Sequence, residues 1–182
     1  SKQRMGMGAR VTGKKLGILG LGRIGLAIAE RAQGFKMNIG YHNRKPVADV
    51  AHGYFDSVVA LAQWADCLIV ACPGGAATEH LVNAAVLQAL GEHGLLINIA
   101  RGSVVDEAAL VAALEAGHIA GAALDVFERE PHIPSLLLQS EKVVLTPHIG
   151  SATRETRLDM DDLLLQNVAA FVQDGRLLTE VC

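Results

Sequence analysis

Short, wholly apolar runs alternate along the chain with longer segments in which apolar residues return every three or four positions. Residues 15–19 read as a first strand. Ile24, Ile28, Ala32 and Phe35 then recur at helical spacing, which predicts one apolar stripe along a helix. Further strands are predicted at 37–41, 67–71, 95–99, 120–124 and 142–145, with helices at 57–64 and 83–90. Asp106 is placed to cap a helix over 107–116, and Gly117 to stop it. A final amphipathic helix is expected over about 151–171, and the stretch 127–141, carrying Pro131 and Pro134, reads as an irregular connection. Strands alternating with helices of about ten residues build βαβ units. The expected fold class is therefore α/β, a doubly wound parallel sheet in three αβα layers. It forms a single domain over 1–182, with 1–12 as a lead-in and 151–182 as a C-terminal helix and tail.

Composition sharpens that picture. Hydrophobic residues make up 51% of the chain but aromatics only 4%, so the apolar mass is Ala, Val, Ile and Leu. Such residues suit a sheet covered on both faces. Sixteen Lys and Arg against 19 Asp and Glu give a net charge of −3, which argues against a general nucleic-acid or anionic-membrane surface. Asp66 and Pro73-Gly74-Gly75 interrupt the longest apolar candidate before the ~18 residues a membrane span needs. Residues 1–15 are basic and Gly-rich, without the apolar stretch of a secretory signal. Cys67, Cys72 and Cys182 lack CxxC spacing, so a reducing cytoplasm is expected, with no disulfide framework. The histidines show no mutual metal-ligand spacing, and no metal is expected.

The candidate chemistry begins at Gly20-Leu21-Gly22-Arg23-Ile24-Gly25, a GxGxxG run between a predicted strand and a predicted helix. In this context Gly20 permits a tight turn, Gly22 admits a pyrophosphate to the backbone, and Gly25 lets helix pack on strand. This is the phosphate loop of a Rossmann-type dinucleotide-binding domain. The residues after the second strand choose the dinucleotide. An acidic residue about 20 positions on accepts from the ribose 2′-OH in an NAD site. Here the turn reads Tyr41-His42-Asn43-Arg44-Lys45, with no carboxylate before Asp49. Asn43 can hydrogen-bond a 2′-phosphate, Arg44 can fork onto it, and Lys45 adds positive field. NADP(H) is expected over NAD(H), which stays possible.

Three further segments fall just past predicted strand ends, where open α/β sheets bind ligands. They are Ile97-Asn98-Ile99-Ala100-Arg101-Gly102-Ser103-Val104-Val105-Asp106, Gly121-Ala122-Ala123-Leu124-Asp125-Val126-Phe127-Glu128-Arg129-Glu130-Pro131 and Val143-Val144-Leu145-Thr146-Pro147-His148-Ile149-Gly150-Ser151-Ala152-Thr153. With the phosphate loop, they resemble the cofactor domain of the D-2-hydroxyacid dehydrogenase family from about Val11 to the C-terminus. The Asn43-Arg44 turn and the Cys72-Pro73-Gly74-Gly75 loop look most like its glyoxylate/hydroxypyruvate reductase branch.

The resemblance implies roles by position. Arg101 matches the arginine that grips the substrate carboxylate, His148 the acid/base that protonates the carbonyl oxygen, and Glu130 the carboxylate paired with that histidine. Asp125 matches the residue that orients the nicotinamide carboxamide. Ile99, Ala100, Cys72, Pro73, Thr78 and Gly150 complete the expected cofactor contacts. The chemistry agrees: a fixed cation stabilises a 2-oxo acid as charge grows on its oxygen, and an imidazole exchanges protons near neutrality.

Family members carry a substrate lobe of about 100–150 residues before this domain, for which a phosphate loop at residue 20 leaves no room. The chain is therefore expected to be an N-terminally truncated fragment that binds cofactor with negligible turnover, its last helix returning toward the missing lobe. A homodimer through the cofactor domain and a small 2-oxo or 2-hydroxy acid are the expected partners. Two other readings stay open: an NAD-dependent dehydrogenase of another D-2-hydroxy acid, and a non-catalytic dinucleotide-sensing, corepressor-like protein.

Overall fold

The computed structural model describes residues 8–180. The start of the predicted lead-in, residues 1–7, and Cys182 lie outside the described residues. The chain divides into two compact units, one ending at Pro147 and one beginning at His148.

The first unit is a parallel sheet of β1 (Lys15–Leu19), β2 (Asn38–His42), β3 (Gly53–Tyr54), β4 (Cys67–Val70), β5 (Leu95–Asn98), β6 (Gly121–Leu124) and β7 (Val143–Leu145). Their order across the sheet is β3-β2-β1-β4-β5-β6-β7. Building starts at β1 and runs outward both ways, so the order reverses beside β1, where such sheets bind ligands. The helices are α1 (Arg23–Gln33), α2 (Val58–Trp64), α3 (Ala84–Leu90), α4 (Glu107–Glu115) and α5 (Ser135–Gln139).

Period-two alternation assigns the two faces. Leu16 and Ile18 join Ile69, Tyr41 and the α1 residues Ala29 and Ala32 in one apolar cluster. Leu19, Leu68, Val70 and Leu96 point the other way, into a larger cluster with Leu61, Val86, Leu87 and Leu110 from α2, α3 and α4. Each fully buried aliphatic side chain contributes roughly 1.5–3 kcal/mol. The layered α/β architecture is the one expected.

The helix starts follow from capping side chains. Ser57 accepts from the Ala60 N–H at 3.2 Å, Asn83 from the Ala85 N–H at 3.0 Å, and Asp106 from the Ala109 N–H at 2.9 Å. At the N-terminal ends of β1 and β4, the Asp66 carboxylate accepts from the Lys15 N–H at 2.8 Å and pairs with Lys14 Nζ at 3.2 Å. The Lys15 N–H, foremost, and then Lys14 hold its carboxyl below the usual range, despite some opposing desolvation.

The structure differs from the sequence expectation in four places. The buried face of α1 is Gly25, Ala29 and Ala32, whereas Ile24 and Phe35 are 61% and 58% exposed. Small residues bring this helix close to the strands; of the predicted stripe, Ala32 is buried and Ile28 packs against the core, while Ile24 lies on the outer side and Phe35 past the helix end. β3 has two residues and shows no alternation to read, yet it extends the sheet beyond β2. The supposedly irregular stretch contains α5, which begins directly after Pro134 and buries Leu137. The last helix begins and ends three residues later than predicted.

That helix, α6 (Arg154–Asp174), belongs to the second unit. Thr153 caps it by accepting from the Thr156 N–H at 3.1 Å, and Gly175 ends it at φ 67°. None of its residues is buried, so the amphipathic face predicted from the sequence does not form a buried stripe. The Asn167 amide fastens the tail by accepting from the N–H groups of Leu178 and Thr179. Among the described residues, no helix is long and apolar enough to cross a membrane.

Candidate functional site

The phosphate loop joins the end of β1 to the start of α1. Gly20 sits at φ 100°, and a Cβ there would lie 2.5 Å from the Cys72 nitrogen, so the turn requires glycine. A Cβ on Gly25 would strike the Gly20 carbonyl oxygen. Gly22 differs from both: a Cβ there would have nothing within 4 Å. It is the N-cap of α1 and has no side chain to bond the first free N–H groups of the helix. Open space in front of an uncapped N-terminus is the condition a pyrophosphate needs, so the residues present fit the cofactor. Arg23 and Ile24 flank this space as exposed residues of the first turn.

The turn after β2 is fixed at several points. Asn43 Oδ1 accepts from the Leu21 N–H at 2.7 Å, and its Nδ2 lies 3.5 Å from the Leu21 carbonyl oxygen. The Tyr54 hydroxyl donates to the Asn43 carbonyl at 3.3 Å, and the Tyr41 hydroxyl accepts from the Val47 N–H at 2.9 Å. Arg44 and Lys45 lie between these anchors with exposed side chains.

After β4 comes the loop that carries Cys72, Pro73 and Thr78. Thr78 Oγ1 donates within it, lying 2.8 Å from the Pro73 carbonyl and 3.1 Å from that of Gly75. These bonds close the loop on itself. Burial raises the Cys72 thiol's pKa. It also pushes Cys67 up to about 11, with the Asp66 charge adding to the effect. Neither thiol is prepared as a nucleophile.

Arg101 follows β5 by way of Ile99 and Ala100. A residue the sequence reading overlooked holds this turn: Asn98, 1% exposed. Its Nδ2 donates to the Arg101 carbonyl at 3.1 Å, and its Oδ1 accepts from the Ala100 N–H at 3.1 Å. The available signal was an amide closing the apolar run Leu95-Leu96-Ile97, since a buried polar side chain needs partners. Ile99 and Arg101 are exposed and Ala100 is buried. Arg101 thus presents a cation at the C-terminal edge of the sheet.

Asp125 and Glu130 follow β6. The Thr146 hydroxyl, just after β7, donates to Asp125 Oδ1 at 2.5 Å, a second contact the sequence reading missed. Glu130 Oε1 accepts from the Phe127 N–H at 3.1 Å, which fixes the carboxylate on its own loop. Glu107 at the start of α4 accepts from the next N–H, that of Glu128, at 3.3 Å. Burial, the largest effect, and the Glu128 charge raise the Glu107 pKa, against the lowering from that hydrogen bond and from Arg129. His80 pairs with the other side of this loop, its Nε2 lying 3.6 Å from Glu128 Oε1.

His148 opens the second unit. Its φ of 53° lies in the left-handed region, which a non-glycine residue occupies only where its surroundings impose it. Ile149 and Gly150 follow as exposed residues.

Comparison with known proteins gives a consistent result. Residues 1–150 match the family described as D-isomer specific 2-hydroxyacid dehydrogenase, NAD binding domain. The chain is 52% identical over 172 residues to glyoxylate/hydroxypyruvate reductase A HPR2 of Arabidopsis thaliana, covering 94% of this chain and 55% of that protein. It is 51% identical, with the same coverage, to a hydroxyphenylpyruvate reductase of Plectranthus scutellarioides. Among solved structures, it matches an NADPH-dependent glyoxylate/hydroxypyruvate reductase of Sinorhizobium meliloti, crystallised with NADP and malonate. That match has a TM-score of 0.91 and 50% identity, over 93% of this chain and 53% of the other. The chain spans about half the length of the relatives it matches.

Proposed function

Because the chain belongs to the D-isomer specific 2-hydroxyacid dehydrogenase family through its NAD-binding domain, we propose that it is the cofactor-binding part of an NADP(H)-dependent reductase of small 2-oxo acids, of the glyoxylate and hydroxypyruvate type. The observation that carries this reading is one of order. Arg101, Glu130 and His148 follow β5, β6 and β7, which are successive neighbours in one parallel sheet. An arginine, a carboxylate and a histidine arriving from consecutive strand ends supply the groups that reduction of a 2-oxo acid requires.

A nicotinamide cofactor held here would supply the hydride for the carbonyl carbon. Everything else falls to the chain. Arg101 binds the substrate carboxylate and stabilises the charge that grows on the carbonyl oxygen. His148 donates a proton to that oxygen, so a 2-oxo acid leaves as a D-2-hydroxy acid. By the family resemblance, Glu130 is the carboxylate that serves this acid/base. Asp125, held by Thr146, turns the nicotinamide carboxamide. Gly22 and the first turn of α1 take the pyrophosphate, and the exposed Arg44 and Lys45 meet a 2′-phosphate.

NADPH dependence in the Sinorhizobium meliloti relative supports the choice of cofactor. The family resemblance supports a homodimer joined through this domain. The cysteine usage supports a cytoplasmic location.

The test is oxidation of NADPH by the natural full-length protein with glyoxylate, hydroxypyruvate and larger 2-oxo acids. Turnover is expected with the small acids, and H148Q should lower kcat by roughly 10²–10⁴-fold. No turnover with any 2-oxo acid, or an unchanged kcat in H148Q, would overturn the reading.

A further inference from the structure

Asn43 stands between two parts of the cofactor site that are usually considered separately. Its side chain reaches back to Leu21, which lies between Gly20 and Gly22 and is 2% exposed. The 2.7 Å bond from the Leu21 N–H to Oδ1 is short for an N–H donor. One residue earlier, the Gly20 N–H donates to the His42 carbonyl at 3.0 Å. Two consecutive peptides of the phosphate loop are therefore tied to two consecutive residues at the end of β2. The next residue, Gly22, is the α1 N-cap that faces open space.

The other end of Asn43 also has a partner. Its carbonyl accepts from the Tyr54 hydroxyl, and Tyr41 holds Val47 four residues further on. Arg44 and Lys45 therefore project from a turn whose two ends are both fixed.

We propose that Asn43 is a positioning residue that couples the two phosphate sites, and that the 2′-phosphate itself is left to Arg44 and Lys45. The proposal rests on the dinucleotide-binding reading above and departs from the sequence expectation that Asn43 contacts the 2′-phosphate. A side chain whose oxygen already holds the loop acts on every dinucleotide, because the pyrophosphate is common to all of them. A direct 2′-phosphate ligand acts on NADPH alone.

Dissociation constants of the chain for NADPH and NADH separate the two roles when measured on wild type, N43A, N43D and R44A, with the thermal midpoint of each. N43A is expected to weaken both cofactors by the same factor, roughly 3–10-fold for one lost hydrogen bond, leaving their ratio unchanged. N43D retains an oxygen that can accept from the Leu21 N–H. It should bring NADH binding back to at least the wild-type value, since a carboxylate there can also accept from the ribose 2′-OH, while NADPH stays weakened by charge repulsion. A general loss of stability would not be repaired for NADH alone. If N43A weakens NADPH and leaves NADH unchanged, or if N43D fails to restore NADH, the proposal is overturned. R44A checks the underlying reading by itself: a selective loss of NADPH supports it, and failure of the wild-type chain to bind either cofactor removes it.

Discussion

Gly22 and Gly25 stand three residues apart in one loop and answer to different demands. Gly25 serves the fold, since a methyl group there would meet the Gly20 carbonyl oxygen and the Ile18 side chain. Gly22 meets no such limit, since a Cβ there would have nothing within 4 Å. G25A should cost about 1–3 kcal/mol through overpacking and lower the thermal midpoint. G22A should leave the midpoint close to wild type and weaken NADPH binding. Calorimetric melts and NADPH titrations of both variants check this, and loss of stability in G22A would contradict it. The glycines were legible in the sequence because few other sites ask for three of them between a strand and a helix. The work of Asn98 and Thr146 was not legible, because it depends on which backbone atoms lie beside their side chains.

At the scale of elements, the loop after β6 is held from its neighbours. Glu107, from the start of α4, bonds the Glu128 N–H beside the residues that lead to Glu130. Burial raises its pKa in the folded chain. A raised folded value means that the native state keeps this proton after the unfolded chain has released it. Stability is therefore greatest below the unfolded value of about 4.3, and it falls as pH rises through the folded one. E107Q keeps an acceptor for the Glu128 N–H without the charge. Urea midpoints of wild type and E107Q between pH 4 and 7 should diverge as pH rises, with E107Q the less sensitive. Parallel curves would refute this. The strands and most helices were readable from periodicity because burial on two faces imposes it. α1 was shifted in face because close packing selects Gly25, Ala29 and Ala32 over the larger Ile24. β3 and α5 were missed because two residues and five residues are too short to carry a period.

For the whole molecule, strand order brings separate motifs of the first unit to one edge of the sheet. Residues 20–25, 43–45, 99–101, 125–130 and 146–147 are far apart in the chain. All of them follow C-terminal ends of strands in a single parallel sheet. That arrangement was legible in advance, since right-handed βαβ connections leave few topologies to choose from. What remained hidden in the sequence was the tie between the glycine loop and the turn after β2, through Asn43. On the proposed reading, this sheet edge binds a 2′-phosphorylated nicotinamide dinucleotide. Isothermal titration of the 182-residue chain with NADPH and with NADH tests it most directly. NADPH should bind at least about tenfold more tightly, the equivalent of roughly 1.4 kcal/mol for Arg44 and Lys45 meeting the extra phosphate. Equal affinities, or tighter binding of NADH, would contradict the account.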